Sequence, residues 1–263
     1  MKFLKNSWTL HLRRLMLLIT FLFLWEALAG GIHPSFSLFD PFYSSSPTRI
    51  ARELYVLFFQ ENILKDILIT LGEAFAGLVI GIASGVALGL IFAYSEPIAS
   101  TFEPLMSALN SIPRPALAPL VIFWFGIGIF SKIFLAWSIV FFVIFYNTYL
   151  GIKSIDPDIL NVMRVMNASR FQTMRIVILP SVASWIFAGL RLSISYALIG
   201  AIIGEFVGAT AGIGYQLIYA EGLLMSDRLY ALVLIIAVMG ATLVEITKRV
   251  ESKLLRWRPE VIL

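Results

Sequence analysis

The sequence has no cysteine, two histidines and few charges. Without a thiol there is no cysteine nucleophile, no thiolate zinc site and no disulfide framework. His11 and His33 fall short of the histidine sets that most metal centres use. Charged residues make up 14% of the 263 and apolar ones 59%, whereas a soluble domain is about a quarter charged. On one globular surface, that excess of Leu, Ile, Val and Phe would leave large exposed apolar patches. An ordinary cytosolic enzyme, a disordered chain and a disulfide scaffold are excluded. The phosphate-cradling Gly-x-x-x-x-Gly-Lys-Ser/Thr loop is also missing, so the chain is no ATPase of that type. No catalytic constellation emerges, and neither a catalytic residue nor a metal ligand is assigned. The composition is that of an integral membrane protein.

What the sequence has in abundance is apolar length. A helix needs about 20 mostly apolar residues to cross a hydrocarbon slab about 30 Å thick. The charge-poor windows give six crossings, near 13–31, 66–94, 104–127, 131–152, 180–208 and 226–249. An even number puts both termini on one side, together with the 94–103 and 152–179 connections. That side holds Lys2, Lys5, Arg13, Arg14, Lys153, Arg164, Arg170, Arg175, Lys248, Arg249, Lys253, Arg256 and Arg258, 13 of the 20 Lys and Arg. The positive-inside bias makes it cytoplasmic. The net charge of +4 is thus a matter of topology, and no nucleic-acid partner is needed to explain it.

The N-terminus admits two readings. Its basic residues, the 11-residue apolar run Leu15–Trp25 and Ala27-Leu28-Ala29 fit a cleavable signal peptide. A retained first helix is preferred, because the apolar stretch continues past Glu26. The chain divides into a tail and first helix (1–31), an outer segment (32–64), a membrane core (65–249) and a tail (250–263). In the outer segment, Pro34, Pro41, Pro47 and Ser44-Ser45-Ser46 predict irregular chain. Thr48–Gln60 then carries Ile50, Leu54, Leu57 and Phe58 at helical spacing, which fits either a surface-lying amphipathic helix or a plain connector.

Gly77, Gly81, Gly85 and Gly89 recur every four residues, and Gly189, Ser193, Ala197 and Ala201 form a second stripe. Such spacing lines one helix face with small residues and lets another helix approach closely. Ser111-Ile112-Pro113-Arg114-Pro115, with Pro119 four residues on, predicts a bent or broken third crossing. Polar and ionisable groups inside crossings belong in the bundle interior or facing water. Arg114, Asn147, Arg191 and Glu205 are therefore candidates for the translocation path, each with structural pairing or interfacial placement as its alternative.

The connection after the fourth crossing is the most informative. Asp156-Pro157-Asp158 is a helix start, with Pro at the first position and acid in the first turn. Asn167 suits a left-handed helix end, and Ser169 suits the cap of a second short helix running to about Val177. Pro180 then marks entry to the fifth crossing. Two short cytoplasmic helices joined by a sharp bend are expected.

At these residues the chain resembles the transmembrane subunit of bacterial ABC importers of the nitrate, sulfonate and taurine branch. That family's loop reads Glu-Ala-Ala, three residues, Gly, nine residues, then Ile, any residue, Leu-Pro. Here Asn161-Val162-Met163, Asn167 and Val177-Ile178-Leu179-Pro180 stand at the matching positions, and Ala168-Ser169-Arg170-Phe171-Gln172 is similar to the usual Ala-Ser-Arg-Trp-Gln. The Glu-Ala-Ala is lost and Gly has become Asn. Phe123-Trp124-Phe125-Gly126, Phe145-Tyr146-Asn147-Thr148-Tyr149, Ala188-Gly189-Leu190-Arg191-Leu192 and Gly212-Ile213-Gly214-Tyr215 add to the match, which runs from Ile67 to Glu245.

The resemblance implies an all-α type I importer permease fold with two coupling helices. It implies a homodimer of permeases, two cytoplasmic ATP-binding subunits that bind the ATP and Mg²⁺, and a periplasmic substrate-binding protein, in the bacterial inner membrane. The chain itself would bind no cofactor. Asp158, Asn161, Met163, Arg164, Asn167, Ala168, Ser169, Arg170 and Phe171 would form the ATPase-coupling loop. The substrate expected for that branch is a small oxyanion, sulfonate or vitamin precursor. The competing readings are an ion-coupled secondary transporter using Glu205 or Glu245, and a membrane-bound enzyme. The first of these lacks a half-to-half repeat and the second lacks paired carboxylates.

Overall fold

The computed structural model describes residues 2–30 and 38–254. His33, Pro34 and the tail from 255, including Arg256 and Arg258, lie outside the described residues. Among the described residues there is no strand, and the elements are α1 (Lys2–Leu28), α2 (Pro41–Ser44), α3 (Pro47–Phe59), α4 (Leu64–Tyr94), α5 (Glu96–Asn110), α6 (Arg114–Phe125), α7 (Ile129–Lys153), α8 (Pro157–Val165), α9 (Arg170–Thr173), a π turn (Met174–Ile178), α10 (Leu179–Gly208), α11 (Ile213–Gly222) and α12 (Ser226–Leu254). Two compact units result. One comprises residues 1–64 and 216–236, the other 65–215 and 237–263.

In the first unit, Glu26 explains itself. Its carboxylate accepts from the Thr48 amide at 2.9 Å and the Thr48 hydroxyl at 2.6 Å, so it satisfies an amide that the start of α3 leaves without a helical partner. Beside it, Trp25 donates from Nε1 to the Ser44 carbonyl at 3.3 Å and meets Tyr230 edge-on at 5.9 Å. The outer segment contains α3, with Ile50 and Leu57 buried and Tyr55 and Phe59 exposed.

The second unit is built on close helix approach. The α4 glycines face α7. A Cβ on Gly77 would stand 2.5 Å from the Ala136 Cβ, one on Gly81 2.5 Å from Val140 Cγ1, and one on Gly89 2.7 Å from Thr148 Cβ. The small stripe of α10 meets α7 as well, since Gly200 lies against the Ala136 backbone and Gly189 against Asn147. Helix α7 is therefore packed by small residues of both α4 and α10. Between these seams, Ala74, Val140, Ile144, Ala197 and Ala201 form one buried cluster, and Phe92, Phe141, Phe142, Phe145 and Tyr149 an aromatic one.

The third crossing is interrupted where the prolines predict it. Helix α5 stops at Asn110 and α6 starts at Arg114. Pro113 has no amide to donate and disfavours helical backbone at Ile112, while Pro115 sits in the first turn of α6, where a missing donor costs nothing. Pro119 stays inside α6 without a break. At 15 and 12 residues, neither piece spans a bilayer alone. Among the described residues, four helical runs are long and apolar enough to do so: Leu64–Tyr94, Ile129–Lys153, Arg170–Gly208 and Ser226–Lys253.

One expectation is corrected. The second short helix does not end at about Val177, separate from a fifth crossing entered at Pro180; helix runs without interruption from Arg170 to Gly208. The cause is the π turn, in which the Leu179 amide bonds to the Met174 carbonyl, five residues back. A turn widened by one residue just before Pro180 takes up the carbonyl register that a proline ring would otherwise strike.

Candidate functional site

The α7–α10 connection is built from local hydrogen bonds. The Asp156 carboxylate accepts from the Asp158 amide at 2.9 Å and caps α8. At the far end, Asn167 has φ 54°, its amide bonds to the Arg164 carbonyl at 2.9 Å, and the Ala168 amide reaches the Met163 carbonyl at 3.0 Å. This pair of bonds is the Schellman arrangement, which needs a left-handed residue where Asn167 stands. Ser169 and Gln172 then form a reciprocal capping box, with the Gln172 amide donating to Ser169 Oγ at 3.2 Å and the Ser169 amide to Gln172 Oε1 at 2.7 Å. Arg164 donates to Asn161 Oδ1 at 3.2 Å. At the base of the connection the Trp185 side chain lies against Gly151, where a Cβ would come within 2.8 Å of it.

Neither α8 nor α9 has a buried residue. Phe171 is 72% exposed, Val165 88% and Met166 72%. Met163 and Ala168 are half-buried, and Asp158, Asn161, Arg164, Asn167, Ser169 and Arg170 are exposed. Val162, Val165 and Met166 were not among the sequence-predicted residues. Their signal was available: on a helix whose cap and polar face are known, they occupy the remaining apolar positions. An outward apolar face on a locally rigid frame can dock against a protein partner, and it has no group suited to bond chemistry.

The four candidates for the solute path do not converge. Arg114 donates to the Leu109 and Asn110 carbonyls at 3.2 and 3.4 Å and to Asn110 Oδ1 at 3.2 Å, with its guanidinium 4.8 Å from the centre of the Phe142 ring. It thus closes the carbonyl end of α5 across the break. Asn147 donates to the Val143 carbonyl of its own helix at 2.8 Å. Arg191 pairs with Glu251 of α12 at 2.6 Å. Glu205, 1% exposed, accepts from Thr70 Oγ1 at 2.7 Å and from the Gly214 amide at 2.6 Å. Glu245 pairs with Arg249 one turn on, at 3.0 Å.

A second polar constellation lies in the first unit. Arg228 donates to Glu61 at 2.9 and 2.5 Å and to Gln216 at 3.0 Å, with Glu53 at 3.7 Å. Arg49 stands 3.7 Å from Asp227, which also accepts from Ser45 Oγ at 2.6 Å. Arg49, Glu53, Glu61, Asp227 and Arg228, with Phe42, Val56, Leu224 and Met225, line a cavity of about 450 Å³. The Arg228 hydrogen bond holds the Glu61 carboxyl below the usual glutamate value, against a smaller opposing effect of burial. Each arginine meets a carboxylate, so the arrangement ties α3 to the start of α12. Contacts across about 170 residues leave no signal in one sequence.

Comparison with known proteins places this frame. The profile of the binding-protein-dependent transport system inner membrane component family matches residues 67–256. A Bacillus subtilis protein named as an aliphatic sulfonates transport permease, SsuC, is 32% identical over 208 residues, covering 77% of this chain and 75% of its own length. The riboflavin transport system permease RibX of Chloroflexus aurantiacus is 30% identical over 243 residues, covering 92% of this chain and 88% of its own. A chain from inward-facing crystals of the MetNI methionine ABC transporter shares the fold, with a TM-score of 0.62 at 17% identity over 71% of this chain and 93% of that one. Matched over most of its length, the chain belongs to the binding-protein-dependent transport system inner membrane components, as an ABC importer permease of the nitrate, sulfonate and taurine type.

Proposed function

We propose that two copies of this chain form the solute path of an ATP-driven importer, each crossing the inner membrane six times with both termini cytoplasmic. The crossings are α1, α4, α5 with α6, α7, the 170–208 run and α12. Each α8–α9 loop docks on a cytoplasmic ATP-binding subunit, which holds the ATP and Mg²⁺, and closure of those subunits drives the helices between inward- and outward-open states. A periplasmic binding protein delivers the solute, a small sulfonate, oxyanion or vitamin-type molecule. The relatives' names, an aliphatic sulfonate permease and a riboflavin permease, support that range.

The observation that carries the docking assignment is the loop itself: two capped helices with nothing buried and with Val165, Met166 and Phe171 turned outward. Asp158, Asn161, Met163, Arg164, Asn167, Ala168, Ser169 and Arg170 form the rest of that surface. Arg191, whose side chain is 50% exposed, is assigned to the path. Arg114, Asn147 and Glu205 stay candidates for the path beside it, each also bonded to neighbouring groups of the chain, as Arg191 is to Glu251.

The test replaces Met163, Asn167 and Phe171 by Asp together. Co-purification of the ATP-binding subunit and solute uptake should each fall at least about tenfold, as expected when apolar anchors of an interface are charged, while the chain still enters the membrane. Retention of both activities would remove the docking assignment.

A further inference from the structure

The turn after α10 is held by a buried polar cluster that the transport reading does not use. Three consecutive amides of residues 212–214 donate to α4 and α10: Gly212 to Asp66 Oδ1 at 2.7 Å, Ile213 to Thr70 Oγ1 at 2.9 Å and Gly214 to Glu205 Oε2 at 2.6 Å. Gly212 has φ 103° and a Cβ there would overlap the Glu205 carboxylate, so the backbone wraps directly on that group. The α7 residue Lys132, 3% exposed, donates its ammonium to the Gly208 carbonyl at the end of α10. The fourth member is Glu73, 4% exposed, which follows Asp66 and Thr70 on the same face of α4, one turn beyond the threonine that donates to Glu205. Its Oε2 is buried without any partner.

The hydrogen bonds decide where charge sits. Both oxygens of Glu205 are met by donors, the Thr70 hydroxyl and the Gly214 amide, and that pattern suits a carboxylate. Lys132 balances one negative charge. A second carboxylate at Glu73 would face Glu205 with no cation left for it, in an interior where like charges at close range do not both ionise. The charged groups facing the pair are Asp66 from α4, which adds to the negative side, and Lys132 from α7. Among the described residues no group of three acidic or histidine side chains is placed to hold a metal ion.

We propose that Glu73 and Glu205 form a proton-binding site that holds a single shared proton, with Glu73 as the donor to Glu205, and that this proton completes the clamp on the 208–214 turn. It is a resident proton of the fold and is not carried across the membrane with solute.

Infrared difference spectroscopy of the full chain in lipid vesicles at neutral pH tests this, because a protonated carboxyl has a carbonyl band distinct from those of carboxylates. Glu73→Gln should remove one such band. Glu205→Gln should remove the same band although Glu73 is still there, since Glu73 then ionises against Lys132. Lys132→Met should add a second band, because neither carboxyl keeps its counter-charge. A band that survives Glu205→Gln, or a spectrum unaltered by Glu73→Gln, would overturn the shared proton. Should either glutamine variant fail to fold by size-exclusion chromatography, the Lys132→Met band decides alone, and its absence counts against the proposal. None of these spectra depends on docking of the ATP-binding subunit, so a failure here is separable from a failure of the coupling assignment.

Discussion

Along the seam between α7 and α10, Gly200 lies against the Ala136 backbone and Gly204 against that of Lys132. In the loop that joins the same two helices, Asp156, Asn167 and Ser169 bond only to residues within five positions of themselves. The seam is a product of distant segments meeting, and its geometry exists only when both helices are in place. The loop keeps its shape by itself and has nothing buried. The part that must fit its own chain is therefore specified non-locally, and the part read as fitting another protein is specified locally and left uncovered.

The sharpest way to break that contrast is at the seam. Gly200→Ala forces a methyl to within 2.6 Å of the Ala136 Cα, and backbone cannot swing aside as a side chain can. A loss of about 3 kcal/mol is expected, read as a lower thermal unfolding midpoint in detergent. Gly72, which has nothing within 4 Å, is the control. Gly72→Ala should be neutral or stabilising by up to about 1 kcal/mol. Equal effects at the two sites would show that the seam is not closely packed.

A smaller effect is expected in the loop. Asn167→Ala puts a residue with no side-chain hydrogen bond in left-handed backbone and should cost about 1 kcal/mol locally, while Asn167→Gly should be tolerated. Ser169→Ala removes half of the capping box, at a similar cost of about 1 kcal/mol. For both, co-purification with the ATP-binding subunit should weaken while the unfolding midpoint of the membrane core stays put. A drop in that midpoint would mean that loop and core are one cooperative unit.

The smallest effect belongs to Glu61. Its folded-state pKa lies below the ordinary 4.5 because Arg228 favours the carboxylate. Its contribution is therefore complete above the ordinary value and disappears as pH falls through the lowered one. With the Glu61 side chain 42% exposed, screening keeps the contribution within about 1 kcal/mol. Glu61→Gln should lower the unfolding midpoint slightly at neutral pH and leave acid pH nearly unchanged, so that the acid limb of the midpoint against pH flattens.

What could be read from the sequence follows the same division. The α4 glycine stripe, the break before Arg114 and the caps at Asp156 and Asn167 are short-range patterns, and the structure contains each of them. The Glu26 bond to Thr48, the Arg228 bonds to Glu61 and the two amides gathered by Asp66 and Thr70 depend on segments 22 to 167 residues apart. No periodicity encodes such meetings. The π turn escaped for another reason: Pro180 in a linear sequence marks helix interruption, and only the widened backbone before it shows that the helix absorbs it. In the candidate site the caps were legible, and the outward Val165 and Met166 became evident once their neighbours' burial was known.

That uninterrupted run has a mechanical consequence. From Arg170 to Gly208 it comprises 39 residues, about 58 Å at 1.5 Å per residue. Such a rod conveys displacement from its Arg170 tip to its far end as rigid tilt or axial rotation, with no intervening hinge to dissipate it. The one compliant element is the π turn at 174–178, next to the tip. A push there would thus be converted to torque within the first two turns, and everything beyond would swing as one lever.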